Sequence, residues 1–289
     1  MNTPIPRLRR RARSATGLVV VALAVASTAC QDDRTDKRTS ATTADPRSQS
    51  ETPVDAEQPA YRSFIAVAHS DVATIVAYDA PGGAPLQLNR TGDGSLVPAE
   101  VSNPLPQLDP NDPLPASAAT FLVKTPSRRV GDRTWHEVYL PLRPNGSTGW
   151  IDAASVDLQF TDMSISVSLS RRTLEFRDGG KVAGTYPVAI GTAENPTPLG
   201  RFYVRELADL SHTDPGGPYG PLAYGLSGFS PTLIDTEAFK EGAIGIHGTN
   251  KPDLIGTPVS NGCIRMRNED ILDLESRDLP LGMPVDIVA

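Results

Sequence analysis

The sequence predicts a mainly β chain, with two β-rich domains in series and one or two short helices. Three observations carry this. Met163, Ile165, Val167 and Leu169 alternate with Ser164, Ser166, Ser168 and Ser170, the period-2 pattern of a half-buried strand. Between 64 and 151, short apolar runs are separated by clusters of Gly, Pro, Asn and Asp, which read as strands and turns. A helix start is legible near 268–276, where Asn268 is the expected N-cap and Glu269 and Asp270 fall in the first turn. A length of 289 residues suits about two domains.

The first element is an export signal over residues 1–29. Arg7, Arg9, Arg10, Arg11 and Arg13 precede the apolar run Leu18 to Ala26. That run is short of the roughly 20 apolar residues a spanning helix needs, so a cleaved signal fits it better. Ser27-Thr28-Ala29-Cys30 places small residues before a cysteine. It resembles the lipobox of bacterial lipoproteins, with Ser27 where that motif usually has Leu. The resemblance implies lipidation of Cys30 and a membrane anchor facing the cell envelope. Plain secretion with cleavage near Ala29 is the alternative. Loss of the five arginines would take the net charge from −7 to about −12. An acidic mature chain would then hold to a membrane by its lipid and not by charge. The acidic balance and the lack of a basic stripe also argue against nucleic-acid binding.

Residues 30–60 are rich in Ser, Thr, Asp and Pro and contain no aromatic residue until the next domain. Such a segment buries too little apolar surface to order itself. It reads as a tether with an r.m.s. span of roughly 30 Å and an extended reach on the order of 100 Å.

A small β domain is expected over 61–158. Its strand-like runs are 64–68, 72–78, 121–124 and 135–142. Asn145-Gly146 marks a tight turn leading into Gly149-Trp150-Ile151. The proline-rich stretch around Asn103-Pro104 and Asp112-Pro113 reads as one long loop. The segment 135–151 resembles bacterial SH3-like barrels, which implies a small β-barrel.

The second domain is expected over 161–289. After the alternating strand, turns at Ser170-Arg171-Arg172 and at Asp178-Gly179-Gly180 separate it from two further strands, the second being Tyr186 to Gly191.

The chemistry sits in two pieces, Ile244-Gly245-Ile246-His247-Gly248-Thr249 and Val259-Ser260-Asn261-Gly262-Cys263-Ile264-Arg265-Met266. Each reads as a strand end, and the loop between them contains two Pro and a Gly. Two strand ends joined this way can set an imidazole against a sulfur. A free thiol is only a few per cent thiolate at neutral pH, and an adjacent imidazole would take its proton to leave an ion pair. Gly262 would let a backbone approach closely, and N–H groups near Cys263 would bind an oxyanion. The chain has two cysteines. With Cys30 acylated, Cys263 has no intramolecular partner, and a lone thiol in an exported protein reads as reactive.

His-Gly-Thr followed by Ser-Asn-Gly-Cys-Ile-Arg resembles the L,D-transpeptidase (YkuD-type) family. Tyr186 to Gly191, Thr197-Pro198-Leu199-Gly200-Arg201-Phe202 and Leu281-Gly282-Met283-Pro284-Val285-Asp286-Ile287 add to the resemblance, which covers about 162–288. It implies a β-rich catalytic domain that acts on peptidoglycan stem peptides. Cys263 would attack the third residue of a tetrapeptide stem, terminal D-Ala would leave, and an amine of a second stem would resolve the thioester as a 3→3 cross-link. His247 would be the base, with the Gly248 carbonyl orienting it. Inactivation by carbapenems is implied. Asn261 stands where the family often has His. Arg265 would hold a substrate carboxylate or brace the loop. Ser260 would cap its turn or contact substrate.

Tyr219, Tyr224 and the Gly-Pro-rich stretch 214–230 precede the histidine and would cover the donor cleft, with Tyr224 assigned to the substrate side. His69, His136 and His212 have no ligand spacing, so no metal is expected, and no organic cofactor. Two other activities compete: an L,D-carboxypeptidase or endopeptidase using water as acceptor, and an inactive wall-binding lipoprotein.

Overall fold

Side-chain alternation decides which face each strand buries. The structure, a computed structural model, describes residues 60–90, 94–107, 112–234 and 242–289. The expected signal, Cys30 and nearly all of the tether lie outside these residues. Over the described residues the chain is mainly β with one α-helix.

The amino-terminal part contains β1 (Ser63–Ala68), β2 (Thr74–Val76), β3 (Gln87–Leu88), β4 (Val97–Pro98), β5 (Glu100–Ser102), β6 (Thr120–Val130), β7 (Arg133–Tyr139), β8 (Thr148–Asp152) and β9 (Val156–Thr161). Five of them form an antiparallel sheet in the order β8-β7-β6-β1-β9. β2 pairs with β5 and β3 with β4 as short ribbons. Ala66, Phe121, Val138, Leu140 and Ile151 fill its core. The Asn145-Gly146 turn joins β7 to β8, with Gly146 at φ 81°. The described residues of the proline-rich stretch form no strand of their own. Asn103 anchors its start by donating to the His69 and Val72 carbonyls and accepting from the Ala119 N–H.

The second part contains β10 (Met163–Ser168), β11 (Thr173–Asp178), β12 (Lys181–Pro187), β13 (Ile190–Gly191), β14 (Gly200–Asp209), β15 (Leu222–Phe229), β16 (Ala243–His247), β17 (Pro258–Ser260), β18 (Ile264–Arg265), α1 (Asn268–Glu275) and β19 (Pro284–Val288). Eight strands form one sheet in the order β12-β11-β10-β19-β14-β15-β16-β18. Ile165 and Val167 of the alternating strand are buried in a second, separate core with Leu174, Phe176, Val204, Ile246 and Ile264. The turn residue Arg172 (φ 52°) and the pair Gly179 (φ 55°) and Gly180 (φ 75°) adopt left-handed backbone. β19 lies between β10, to which it is parallel, and β14, to which it is antiparallel.

The helix start differs from expectation. α1 begins at Asn268 with Arg267 as N-cap and no side-chain cap. The Asn268 side-chain oxygen, Oδ1, instead accepts from the Thr249 N–H at 2.8 Å. Glu269 and Asp270 do occupy the first turn, where carboxylates favour the positive helix end.

Asp162 alone joins β9 to β10, and Arg62 grips it with two bonds of 2.8 and 2.9 Å. Gly282 (φ 89°) runs hard against the amino-terminal sheet. A Cβ there would sit 2.4 Å from Ile65 Cγ2 and 2.8 Å from Thr120 Cγ2.

Candidate active site

β16 drives Ile244 and Ile246 into the core and ends on His247. β18 runs parallel to it, with Ile246 opposite Ile264 and His247 opposite Arg265. Strand side chains alternate between faces. Ile246 and Ile264, both fully buried, therefore share the core face. His247 and Arg265 share the other face. Cys263 directly precedes β18, two residues before Arg265, and receives a backbone hydrogen bond from Gly245, two residues before His247. One pairing thus builds the core on one side and gathers imidazole, thiol and guanidinium on the other.

His247 is 3% exposed, and its Nδ1 lies 2.6 Å from the Gly248 carbonyl oxygen. A carbonyl only accepts, so Nδ1 carries the proton and Nε2 keeps a lone pair able to accept one. The carbonyl is itself held in place. Gly248 N–H donates to Leu222 O, Met266 N–H donates to His247 O, and the next amide, Thr249, donates to Asn268. Gly220 (φ 64°) backs this turn so closely that a Cβ would meet Asn268 Oδ1 at 2.4 Å and Gly248 Cα at 2.8 Å. The Tyr219 ring stands edge-on to the imidazole, with centroids 4.8 Å apart.

The cysteine turn is stapled by Ser260, which is fully buried. Its hydroxyl donates to the Cys263 carbonyl at 2.5 Å and accepts from the Gly262 N–H at 3.2 Å. Of the two roles left open for Ser260, the bonds describe the loop-holding one. Gly262 has φ 111°, a conformation that favours glycine. Asn261 is exposed, and its oxygen accepts from Asn195 Nδ2 at 3.2 Å. Arg265 is half-buried. Its backbone bonds Ala189 in both directions, while its buried Nε has no hydrogen-bond partner among the described residues.

Burial pushes the His247 imidazole down to about 4. The Gly248 bond opposes this, and the Arg265 charge adds to it. Burial also pushes the Cys263 thiol up, against the Gly245 bond and the Arg265 charge. Both shifts favour the uncharged forms. Each group taken by itself is thus favoured in its uncharged form, where the sequence suggests an ion pair. Local adjacency suggested the ion pair, and burial, a property of the whole fold, favours the neutral state.

Tyr224, expected on the substrate side, is 1% exposed within the hydrophobic core. Tyr219 is the tyrosine at the site, 40% exposed and against His247. Asn268, Asn195 and Thr232 also lie at the site. The sequence presents Asn268 as a helix cap, and the other two carry no local signal. The remaining histidines lie apart: His69 beside Asp157 at 3.2 Å, His136 beside the Ser127 hydroxyl at 2.9 Å, and His212 in the 210–221 loop. Among the described residues no group of three His, Cys, Asp or Glu side chains is placed to hold a metal ion.

Residues 162–287 match the L,D-transpeptidase catalytic domain known as YkuD. The match begins where β9 gives way to β10. The YkuD protein of Bacillus subtilis is 34% identical over 171 residues, spanning 59% of this chain and 86% of that protein. The YkuD protein of Bacillus licheniformis is 33% identical over 188 residues, spanning 63% and 96%. Among solved structures, the catalytic domain of the Enterococcus faecium L,D-transpeptidase overlaps 43% of this chain and 95% of its own, at 22% identity and a TM-score of 0.30.

Proposed function

This chain belongs to the YkuD-type L,D-transpeptidase family, and from that premise we propose that it cross-links peptidoglycan through a thioester on Cys263. The acyl donor is a tetrapeptide stem and the product a 3→3 cross-link. The observation that carries this reading is the parallel pairing of β16 with β18. It puts His247 and Arg265 on one face beside Cys263, with Nδ1 of His247 tied to Gly248.

Burial, which favours the uncharged form of each group, suggests the order of events. As Sγ attacks the carbonyl carbon of the third stem residue, the thiol proton passes to His247 Nε2. Arg265 bears a positive charge that favours the thiolate at Cys263. The N–H of Cys263 faces the developing oxyanion, an interaction worth about 3 kcal/mol in comparable sites. When the intermediate collapses, the C–N bond to terminal D-Ala breaks and the imidazolium protonates the leaving amine. An imidazolium whose pKa is about 4 is a strong acid for that transfer. An amine of a second stem then attacks the thioester, its proton goes to His247, and the C–S bond breaks to restore the thiol.

We further propose that the enzyme works in the cell envelope, held by a lipid on Cys30. The acceptor is decided by incubating the protein with tetrapeptide-bearing muropeptides and weighing the products. Cross-linked dimers with released D-Ala support transfer. Tripeptide monomers alone would make water the acceptor, and unchanged substrate would refute the enzyme reading.

A further inference from the structure

The turn between β7 and β8 reaches from the amino-terminal domain to the end of β15. Arg143 donates from Nη1 to the Ser230 carbonyl at 2.9 Å and from Nη2 to the Leu233 carbonyl at 3.0 Å. Its guanidinium lies 5.0 Å from the centre of the Phe229 ring. Asn145 acts as a stand-in for a strand neighbour. Its Nδ2 donates to the Phe229 carbonyl at 2.7 Å, and its Oδ1 accepts from the Phe229 N–H at 2.9 Å. Four hydrogen bonds from one turn therefore fix the course of residues 229–233.

The bonds continue from that segment to the cysteine turn. Within it, the Ser230 hydroxyl accepts from the Thr232 and Leu233 N–H groups at 3.3 and 3.2 Å. The Thr232 hydroxyl donates to Asn195 Oδ1 at 2.9 Å, and Asn195 Nδ2 donates to Asn261 Oδ1 at 3.2 Å. Asn261 is two residues from the nucleophile. With its oxygen turned to Asn195, its NH2 group is presented on the opposite side. The segment also abuts the turn itself, since a Cβ on Gly262 would lie 3.6 Å from Pro196 O and 3.8 Å from Ser230 Cβ. A clamp serving only to hold the two domains together would need nothing past Leu233. Here the chain of bonds runs on through the exposed Thr232 and the half-buried Asn195 to Asn261, an exposed polar side chain of the cysteine turn.

We propose that the Arg143–Asn145 turn of the amino-terminal domain is a positioning element of the acyl-transfer site, orienting the Asn261 amide through Thr232 and Asn195. The inference rests on the acyl-transfer reading of Cys263. None of the four residues of the relay before Asn261 touches the reacting atoms. They act by fixing which way one amide points, and this part of the site is therefore completed by the other domain.

The test uses the full chain in detergent and a carbapenem as probe. The rate of adduct formation on Cys263 is followed by intact mass, and alkylation by iodoacetamide, a small reagent that needs no oriented amide, is followed in parallel. Arg143→Ala and Thr232→Val slow adduct formation by roughly five- to tenfold, the scale of one lost hydrogen bond to a reacting group. Iodoacetamide rates stay within about twofold. Thr232→Ser, which keeps the hydroxyl, restores most of the carbapenem rate. In an Asn261→Ala background, Thr232→Val adds no further loss. The proposal is overturned if Thr232→Val reacts at the unaltered rate, if both reagents slow equally, or if the Thr232 and Asn261 losses multiply. An unaltered protein that forms no adduct defeats the acyl-transfer reading itself. An unaltered protein that reacts normally, with variants that match it, defeats only the positioning role.

Discussion

His247 makes the stability of the fold sensitive to acid, by an amount that follows from its burial. The imidazole titrates near 6.5 in an unfolded chain and at about 4 in the folded one. Between these values the unfolded state binds a proton that the folded state refuses. Stability therefore rises with pH across this window. The contribution is fully present above 6.5 and is lost as pH falls toward 4. A displacement of this size, at 1.36 kcal/mol per pH unit, amounts to about 3 kcal/mol. The assay is urea unfolding at pH 7, 6, 5 and 4 for the unaltered protein and for His247→Asn, whose side chain does not titrate. Other groups contribute equally to both proteins. They include His136, which burial also pushes down, and Asp162, held low by its bond from Arg62. The difference between the two curves isolates His247. The unaltered protein should lose about 3 kcal/mol more than the variant between pH 7 and 4. Parallel curves would refute the argument that the imidazole is held neutral by burial.

Four further outcomes follow from the same geometry. Cys263→Ala should acquire no carbapenem mass, and a retained adduct would place the nucleophile elsewhere. Asn268→Leu removes the acceptor of the Thr249 N–H, loosening the turn that carries the Gly248 carbonyl. Acylation should fall on the order of tenfold, with Asn268→Asp recovering most of it because an acceptor oxygen remains. Tyr219→Ala uncovers the imidazole, so the acid limb of the acylation rate should move up by roughly one pH unit, while Tyr219→Phe leaves it in place. Gly282→Val should cost on the order of 3 kcal/mol in urea unfolding, since the new Cβ meets Ile65 and Thr120 and the backbone is left-handed.

Much of the fold is legible locally. The Ser-Ile-Ser-Val alternation predicts β10 and which of its residues are buried, because the period of a strand is a property of neighbours in sequence. The turns at Arg172, at Gly179-Gly180 and at Gly146 follow from the same kind of signal. The position of β19 does not. It pairs with β10 across more than a hundred intervening residues, and nothing in either segment names the other. Asn268 shows how a correct signal can be attached to the wrong role. An Asn before Glu-Asp is what a helix cap looks like, and the helix does start there. The amide is nevertheless drawn sideways to Thr249 by the return of β16, which only the tertiary fold provides. Tyr224 errs the same way: its nearness to His247 in sequence resembles that of Tyr219, but strand register sends it to the core.

The site itself separates identity from state. His247 and Cys263 stand out in the sequence as the candidate base and nucleophile because acyl transfer calls for both and the spacing offers them. Their protonation is not readable, since it depends on how much water the folded sheet excludes. A permanent thiolate would be held by an imidazolium with a high pKa, which gives up its proton reluctantly to the leaving amine. An imidazole as buried as His247 reverses that balance. In the proposed reaction the imidazole would accept the thiol proton only as the carbon–sulfur bond forms, and once charged it would be pressed by burial and by Arg265 to release the proton again. In acyl transfer the same proton must move onto the leaving amine within one turnover, so a weak base that becomes a strong acid serves both halves of the exchange. The pH dependence of iodoacetamide alkylation discriminates directly. A neutral pair gives a rate that climbs toward the raised thiol pKa with no plateau between 5 and 7. A plateau there would mean that an ion pair exists at rest and that the imidazole is not held neutral.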